Sequence, residues 1–397
     1  MSWLVLNTGS SSLKFALYDD EVRSPLIHGS VNWQGDRAEL TVQAGTGSQA
    51  RKEVDVGDPD GAARAAICAV LDLGHAAGDV RGVGHRIVHG GTRFQASVRV
   101  DPAVEADILE LTPLAPLHNP PALAGLAAAR AALPDAPQVA VFDTAFFKDL
   151  PPESVTLPVP ARWTDEWGVR RFGFHGISHE YCAAKAAEIL DRDPASLRLV
   201  ICHLGNGCSA SAVRGGKPVD TTMGFTPLDG LMMGTRSGSV DPGVLLYLLK
   251  AGKIDRDGLD DALNHHSGLL GVSGVSSDYQ QVEHAAAGGN AAARLALGIY
   301  STRVRATIGA LAATLGGLDA LVFAAGVGEH SATLRAAACS GLEFMGIRLD
   351  PVLNDPGLID ADIASALSPV SILVVHTEEE LMIAREVRRI VGSSPDG

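Results

Sequence analysis

The sequence predicts an α/β fold spread over two domains, and three observations carry that reading. At 397 residues the chain exceeds what one hydrophobic core comfortably holds. Short β-rich apolar runs (WLVL, QVAVFD, LRLVICHLG, ALVFAAG, SILVVH) alternate with Ala-rich stretches at helical spacing (PPALAGLAAARAAL, EYCAAKAAEIL, AAARLALGIYSTRVRATIGALAATL), the pattern of helices packed on sheets. Three of the runs, QVAVFD, LRLVICHLGNG and ALVFAAGVGEH, end in an acid or in glycines. In α/β sheets, ligands collect beyond such carboxyl ends.

Along the chain, WLVL and LKFALYD form a hairpin whose tip is NTGSSS, with Lys14 just beyond it. QVAVFD is a strand that stops at Asp143, and the Pro-rich FKDLPPESVTLPVPARW (147–163) marks the crossing between domains. LRLVICHLG and ALVFAAG are buried strands that run into glycines. The Ala- and Leu-rich helices between them read as packing surface. The tail after Ile390 is expected to fray.

Composition narrows the function. With 46% apolar residues, 20% charged residues and a mean hydropathy of +0.15 the chain folds. A formal net charge of −14 argues against nucleic acid or an anionic membrane as partner, so an anionic substrate must meet a local cluster of Arg, Lys or His. Cys68, Cys182, Cys202, Cys208 and Cys339 are odd in number and without CxxC spacing, which predicts reduced thiols in a cytoplasmic protein. Cys202, His203 and Cys208 lack the second pair a zinc site needs. No apolar run approaches the ~20 residues of a membrane span. The N-terminus has no basic region before its apolar run, so no signal peptide is expected.

NTGSSS, HLGNGCS and AAGVGEH share one design: a small-residue turn after a buried strand, where backbone N–H groups can approach an anion without Cβ interference. Singly, each is most simply an ordinary tight turn. None matches the P-loop or dinucleotide-binding pattern. Three of them, spread through the chain, predict a nucleotide held between two related domains.

The hairpin tip, HLGNGCSASAV and ALVFAAGVGEHSATLR resemble the two phosphate motifs and the adenosine motif of the actin, sugar kinase and Hsp70 superfamily. More narrowly, LNTGSSSLKFALYD, GHRIVHGG, PLHNPP, FDTAF, RRFGFHGISH, DTTMGFTPLDGLMMGTRSG, SGLLGVSGVSSD, AGVGEHSA and HTEEELMIARE resemble the acetokinase family over nearly the whole chain. The resemblance implies two related actin-like (ribonuclease H-like) α/β domains flanking an active-site cleft. These would be 1–148 plus a returning helix in 381–397, and 149–380, which carries the nucleotide site. It also implies a homodimer and reversible, Mg²⁺-dependent transfer of the γ-phosphoryl group of ATP to acetate, giving acetyl phosphate and ADP, with Mn²⁺ able to substitute. Acetate is ionised at neutral pH and needs no general base; the difficulty is like-charge approach, which arginines, neutral or cationic donors and a metal relieve.

By this resemblance Arg86 and Arg236, each expected in a Gly-lined loop, bind the carboxylate and neutralise the transferring phosphoryl. His175 donates to its equatorial oxygens. His118 and His203 support the phosphate site, with Asn119 expected to cap the helix after His118 and Pro120 in its first turn. Asp143, Glu379 and Asn7 serve Mg²⁺. Asn206 is catalytic and, with Asn7, Ser10, Ser12, Lys14, Gly205 and Gly207, positions phosphates. Asp278, Tyr279, Gln280, Gly326, Val327, Gly328 and His330 hold the nucleoside. Val88, Leu117, Phe174 and Pro227 form the methyl pocket. The roles of His89 and His179 stay open.

The chain departs from the family pattern at Gln280, where Arg is usual, at His330, where Asn is usual, and at Phe147, where His is usual. Two of these fall in the nucleotide region, so a different phosphoryl donor is one alternative. A propionate or broad short-chain acid kinase is another, and a non-catalytic nucleotide-dependent switch is a third of a different class. Arg86, Arg236 and His175 argue against the switch, which needs no carboxylate clamp.

Overall fold

The opening hairpin becomes an ordered pair of strands, Ser2–Thr8 of seven residues and Ser12–Asp19 of eight, that bury almost every side chain. The computed structural model describes residues 1–9, 12–34 and 37–392, so Ser10 of the hairpin tip and the tail from residue 393 lie outside the described residues. The chain divides into two units: Met1–Lys148 together with the segment from Glu378, and Asp149–Thr377.

The first unit holds β1 (Ser2–Thr8), β2 (Ser12–Asp19), β3 (Pro25–Gln34), β4 (Arg37–Ala44), β5 (Ala50–Val54), β6 (Val80–Ile87), β7 (Val98–Arg99) and β8 (Gln138–Phe142). They form one sheet in the order β5-β4-β3-β2-β1-β6-β8-β7, antiparallel from β5 to β1, parallel across β1, β6 and β8. Helices α1 (Pro59–Asp72), α2 (Pro102–Glu110) and α3 (Asn119–Ala132) follow the same unit. Asp58 and Asp101 cap α1 and α2 by accepting backbone N–H bonds, the usual work of an N-cap aspartate. Leu4, Leu6 and Val83 pack with alanines of α1 and α3 in one apolar core.

The second unit holds β9 (Arg198–Leu204), β10 (Cys208–Arg214), β11 (Lys217–Thr221), β12 (Ala320–Ala324), β13 (Ala361–Asp362) and β14 (Ser371–Val375), ordered β11-β10-β9-β12-β14-β13. Its helices are α4 (Pro152–Val155), α5 (Ala161–Trp167), α6 (Gly176–Ile189), α7 (Pro242–Lys250), α8 (Arg256–His265), α9 (Gly268–Ser273), α10 (Tyr279–Ala287), α11 (Ala291–Leu315), α12 (Ala325–His330) and α13 (Ala332–Cys339). The long α11 buries Tyr300, Val304, Ile308, Leu311 and Leu315, spaced three to four apart as one helical face requires.

The two sheets share a plan. In each, the first strand pairs antiparallel with the second and parallel with a later strand, giving matching runs β3-β2-β1-β6-β8 and β11-β10-β9-β12-β14.

The chain returns to the first unit with α14 (Glu379–Gly392), which packs on β1 and β6. RGVGHR in β6 makes this possible. Gly82 and Gly84 face the helix, and a Cβ on Gly84 would stand 2.5 Å from Ile383 and 2.6 Å from Val387. Period-two alternation puts Arg86 on that same face, beneath the helix's N-terminus.

Candidate active site

In the first unit the structure brings Asn7, Arg86, Asp143 and Glu379 together. Arg86 lies in β6 rather than in a loop, because GHRI continues the buried strand. Its Nε donates to both oxygens of Asp143, at 3.0 and 3.1 Å, and Nη2 donates to Asp143 Oδ2 at 2.6 Å. Nη1 donates to Asn7 Oδ1 at 3.2 Å and lies 3.9 Å from Glu379. Asn7 Nδ2 in turn donates to Glu379 Oε2 at 3.1 Å and to Glu380 Oε1 at 2.9 Å. Burial disfavours the Arg86 cation, but Asp143, Glu379 and Glu380 outweigh it and hold its pKa above the ordinary arginine value. Lys14 stands opposite Asn7 in the β1–β2 register and is exposed; Ser12, at the start of β2, is half-buried.

Three carboxylates around one guanidinium leave an excess of two negative charges in a largely buried group. That balance fits a divalent cation. Asp143 is fully buried and committed on both oxygens to Arg86, so it fits such an ion through water. Glu379 and Glu380, both in the first turn of α14, are the carboxylates suited to direct contact. Glu380 was not among the sequence-predicted residues; within HTEEEL the resemblance singles out Glu379 alone.

In the second unit His175 sits at the N-cap of α6 with φ 57°, a left-handed conformation that His enters more readily than most residues. Its ring stacks on His203, at a centroid distance of 4.3 Å and 17° between planes. His203 is fixed by a 2.7 Å hydrogen bond between Nδ1 and Ser178 Oγ. Behind it, His179 is bonded on both ring nitrogens, to Ser209 Oγ at 2.7 Å and Ser211 Oγ at 2.8 Å. Burial, then neighbouring His203, pushes the His179 pKa well below 6.5, so this ring is neutral. The serines were missed, although CSASAV shows the signal: Ser at period two in a buried strand puts both hydroxyls on one face.

Gly207, in the turn from β9 to β10, is the meeting point of the second group. A Cβ there would stand 2.8 Å from Arg236 Nη2 and 3.0 Å from His175 Nε2. Arg236, in the loop between β11 and α7, is held by a 2.6 Å bond from Nη1 to Pro227 O. Asn206 joins the same loop through Gly234, whose N–H donates to Asn206 O at 3.2 Å.

A cavity of about 760 Å³ opens beside this group, lined by Gly205, Asn206, Asp278, Tyr279 and Gln280, and on another side by Gly326, Val327 and His330. Glu283 and His284, which the sequence did not single out, complete the wall. Asp278 also caps α10, accepting from Gln281 N at 2.9 Å. Tyr279 packs edge-on against Tyr300, 5.4 Å away, and burial, aided by Glu283, raises its phenol to about 12. AGVGEH is not a turn: β12 passes into α12 through Ala325 at φ 63°, and Gly328 is buried behind the cavity.

Other placements are local. Val88 and Phe174 are buried, Pro227 is half-buried and Leu117 is 38% exposed. His118, not Asn119, takes the N-cap position of α3. The Asn119 side chain instead makes a reciprocal pair with the His89 backbone, accepting from N at 3.2 Å and donating to O at 3.1 Å. Phe147 is buried at 1% exposure, as an apolar side chain in that place should be.

The shared strand order of the two sheets defines a pair of actin-like α/β units. The acetokinase family model matches residues 2–385. The chain is 50% identical to an acetate kinase of Gloeobacter violaceus, over 97% of this chain and 98% of that one, and 48% identical to one of Trichormus variabilis, over 97% and 98%. Among solved structures, an acetate kinase from Porphyromonas gingivalis matches at TM-score 0.88 with 41% identity, covering 98% of this chain and 99% of its own. A propionate kinase from Francisella tularensis matches at TM-score 0.91 with 36% identity and the same coverage. The chain belongs to the acetokinase family.

Proposed function

We propose that the protein is an acetate kinase, transferring the γ-phosphoryl group of ATP directly to acetate and, in reverse, from acetyl phosphate to ADP. Family membership at up to 50% identity over nearly the full length carries this reading. Each unit holds chemically suited groups. Arg86, pre-oriented by Asp143, presents a cation for the acetate carboxylate. His175 and Arg236, both against Gly207, are the donors for the phosphoryl oxygens, where charge spreads in the transition state. Asn206 and the cavity beside it take the nucleotide. Mg²⁺, held by Glu379 and Glu380 with Asn7 and Asp143 behind them, would neutralise charge on the phosphate oxygens. Acetate attacks as the anion it already is, so no side chain has to remove a proton.

The Francisella propionate kinase supports a second reading. One methylene in an apolar pocket is worth only ~1–3 kcal/mol, so the two acids compete on a narrow margin. Acetate is favoured because the relatives at 44–50% identity are acetate kinases.

Purified protein with Mg²⁺, ATP and acetate is expected to yield acyl phosphate that hydroxylamine traps as the hydroxamate. No hydroxamate from folded protein with ATP, GTP or pyrophosphate would overturn the proposal. The ratio of kcat/KM for acetate and propionate, taken in the same assay, decides between the two acids.

A homodimer is part of this reading. None of the nine residues of α7 is buried, although it reads PGVLLYLLK, and Val244, Leu246 and Tyr247 are 50–60% exposed. An apolar helix face of this kind suits a second copy of the chain. Sedimentation should give a dimer that Leu246→Asp with Tyr247→Asp dissociates. Five free cysteines, four of them buried, accord with a cytoplasmic setting, and no described helix is long and apolar enough to cross a membrane.

A further inference from the structure

A second cavity, of about 680 Å³, lies in the first unit at the opposite ends of the elements that build the Arg86 group. β1 contributes Trp3 here and Asn7 there; β6 contributes Arg81 here and Arg86 there. α14 contributes Arg385, Arg388 and Arg389 here and Glu379 there, while Arg23 comes from the loop after β2. Five arginines face two lining acids, Asp20 and Glu21, an excess of three positive charges in a chain whose net charge is −14.

The ordinary explanations of basic residues cover part of this. Arg389 is paired with Glu386 at 2.7 Å and suits the last turn of a helix, and Arg23 is paired with Glu21 at 3.1 Å. Arg81, Arg385 and Arg388 have no carboxylate partner among the described residues. Arg388 donates to the Glu21 carbonyl at 3.3 Å, and Arg81 lies 5.7 Å from the centre of the Trp3 ring. Trp3 is 1% exposed, and its Nε1–H, a donor, meets no acceptor among the described residues. Val22, in the same wall, is held at φ 51°, a conformation that a β-branched residue seldom takes. Unneutralised guanidinium forks from a strand and a helix, an unmatched buried donor and a strained wall together make a built concavity.

We infer that this cavity binds a small phosphate-bearing anion of two or more charges. Planar guanidinium forks match phosphate oxygens in pairs.

Inorganic pyrophosphate is the probe, and the indole N–H resonance of Trp3, assigned by its loss in Trp3→Phe, is the readout. Titration of the full-length protein should shift that resonance to saturation, where sodium chloride of equal ionic strength does not. Arg81→Ala with Arg388→Ala should weaken the apparent affinity about tenfold or more while leaving hydroxamate formation intact. Arg385→Gln, a milder change, should weaken it in the same direction. An unmoved resonance at millimolar pyrophosphate, an equal shift with sodium chloride, or the same affinity in the double variant would each overturn the inference.

Discussion

Arg86 and Asp143 meet edge to edge, the Nε–Nη2 side of the guanidinium against both carboxylate oxygens, with the carboxylate wholly buried. This pairing aims the rest of the guanidinium toward Asn7 and Glu379. Asp143→Asn removes the anionic acceptor of these bonds, but Glu379, 3.9 Å away, and Glu380 still face Arg86, so the guanidinium is not left without a counter-charge. The variant should lower the free energy of unfolding by about 1–3 kcal/mol in urea titration, the scale of lost charge-assisted hydrogen bonds. A change under about 1 kcal/mol would mean that the pair behaves as a solvated one.

Gly207 makes a sharper test of alignment. Gly207→Ala puts a methyl group against Arg236 Nη2 and His175 Nε2 without demanding a new backbone conformation. The melting temperature should hardly move, while kcat falls about 100-fold, the scale of an ångström's misplacement. Wild-type kcat in the variant would separate these two side chains from the chemistry.

The nucleotide cavity predicts its own repair. Gln280 is exposed at its rim beside Glu283, so Gln280→Arg adds a cation with a counter-ion at hand. ATP should bind about three- to tenfold more tightly with the acetate KM unchanged, a gain of roughly 1 kcal/mol. Equal changes for both substrates would sink the assignment of Gln280 to the nucleotide.

Acid should weaken the first unit through His85. Gln138 Nε2 donates to Ala136 O at 2.8 Å, which turns Oε1 toward His85 Nε2 at 2.7 Å. Burial lowers the His85 pKa to about 4, against the help of Gln138, with Arg130 adding to the depression. The unfolded chain takes up this proton near pH 6.5 and the folded one near 4, so the contribution is whole above pH 6.5. It is lost on acidification at about 1.4 kcal/mol per pH unit. Urea unfolding at pH 7, 6 and 5 should show His85→Gln with a shallower loss than wild type; parallel losses would contradict the depressed pKa.

How much of this was legible in the sequence follows from range. Alternation is local, so the strands of both sheets could be read directly, whereas the phosphate roles expected of NTGSSS and HLGNG come from the family resemblance. Arg86 was assigned to a loop because its neighbours include glycines, yet Gly82 and Gly84 are small for the sake of α14, some 300 residues later in sequence. Asn119 looked like a helix cap, but His89 competes for its side chain across the fold. The bonding of Ser178, Ser209 and Ser211 to histidines, and of Glu380 to Asn7, depends on which elements become neighbours. Periodicity alone does not say that.

The return of α14 has a consequence for how the protein is made. The face of β1 and β6 that carries Trp3, Gly82, Gly84 and Arg86 is complete only when residues 379–392 arrive. Ribosomes add roughly 5–20 residues per second, so translation of residues 149–377 holds that face open for on the order of 10–50 s. During this interval the nascent first unit exposes an apolar strip and an arginine lacking the carboxylates of α14. Binding by a ribosome-associated chaperone would be timed to that window, and the arrival of α14 is what ends it.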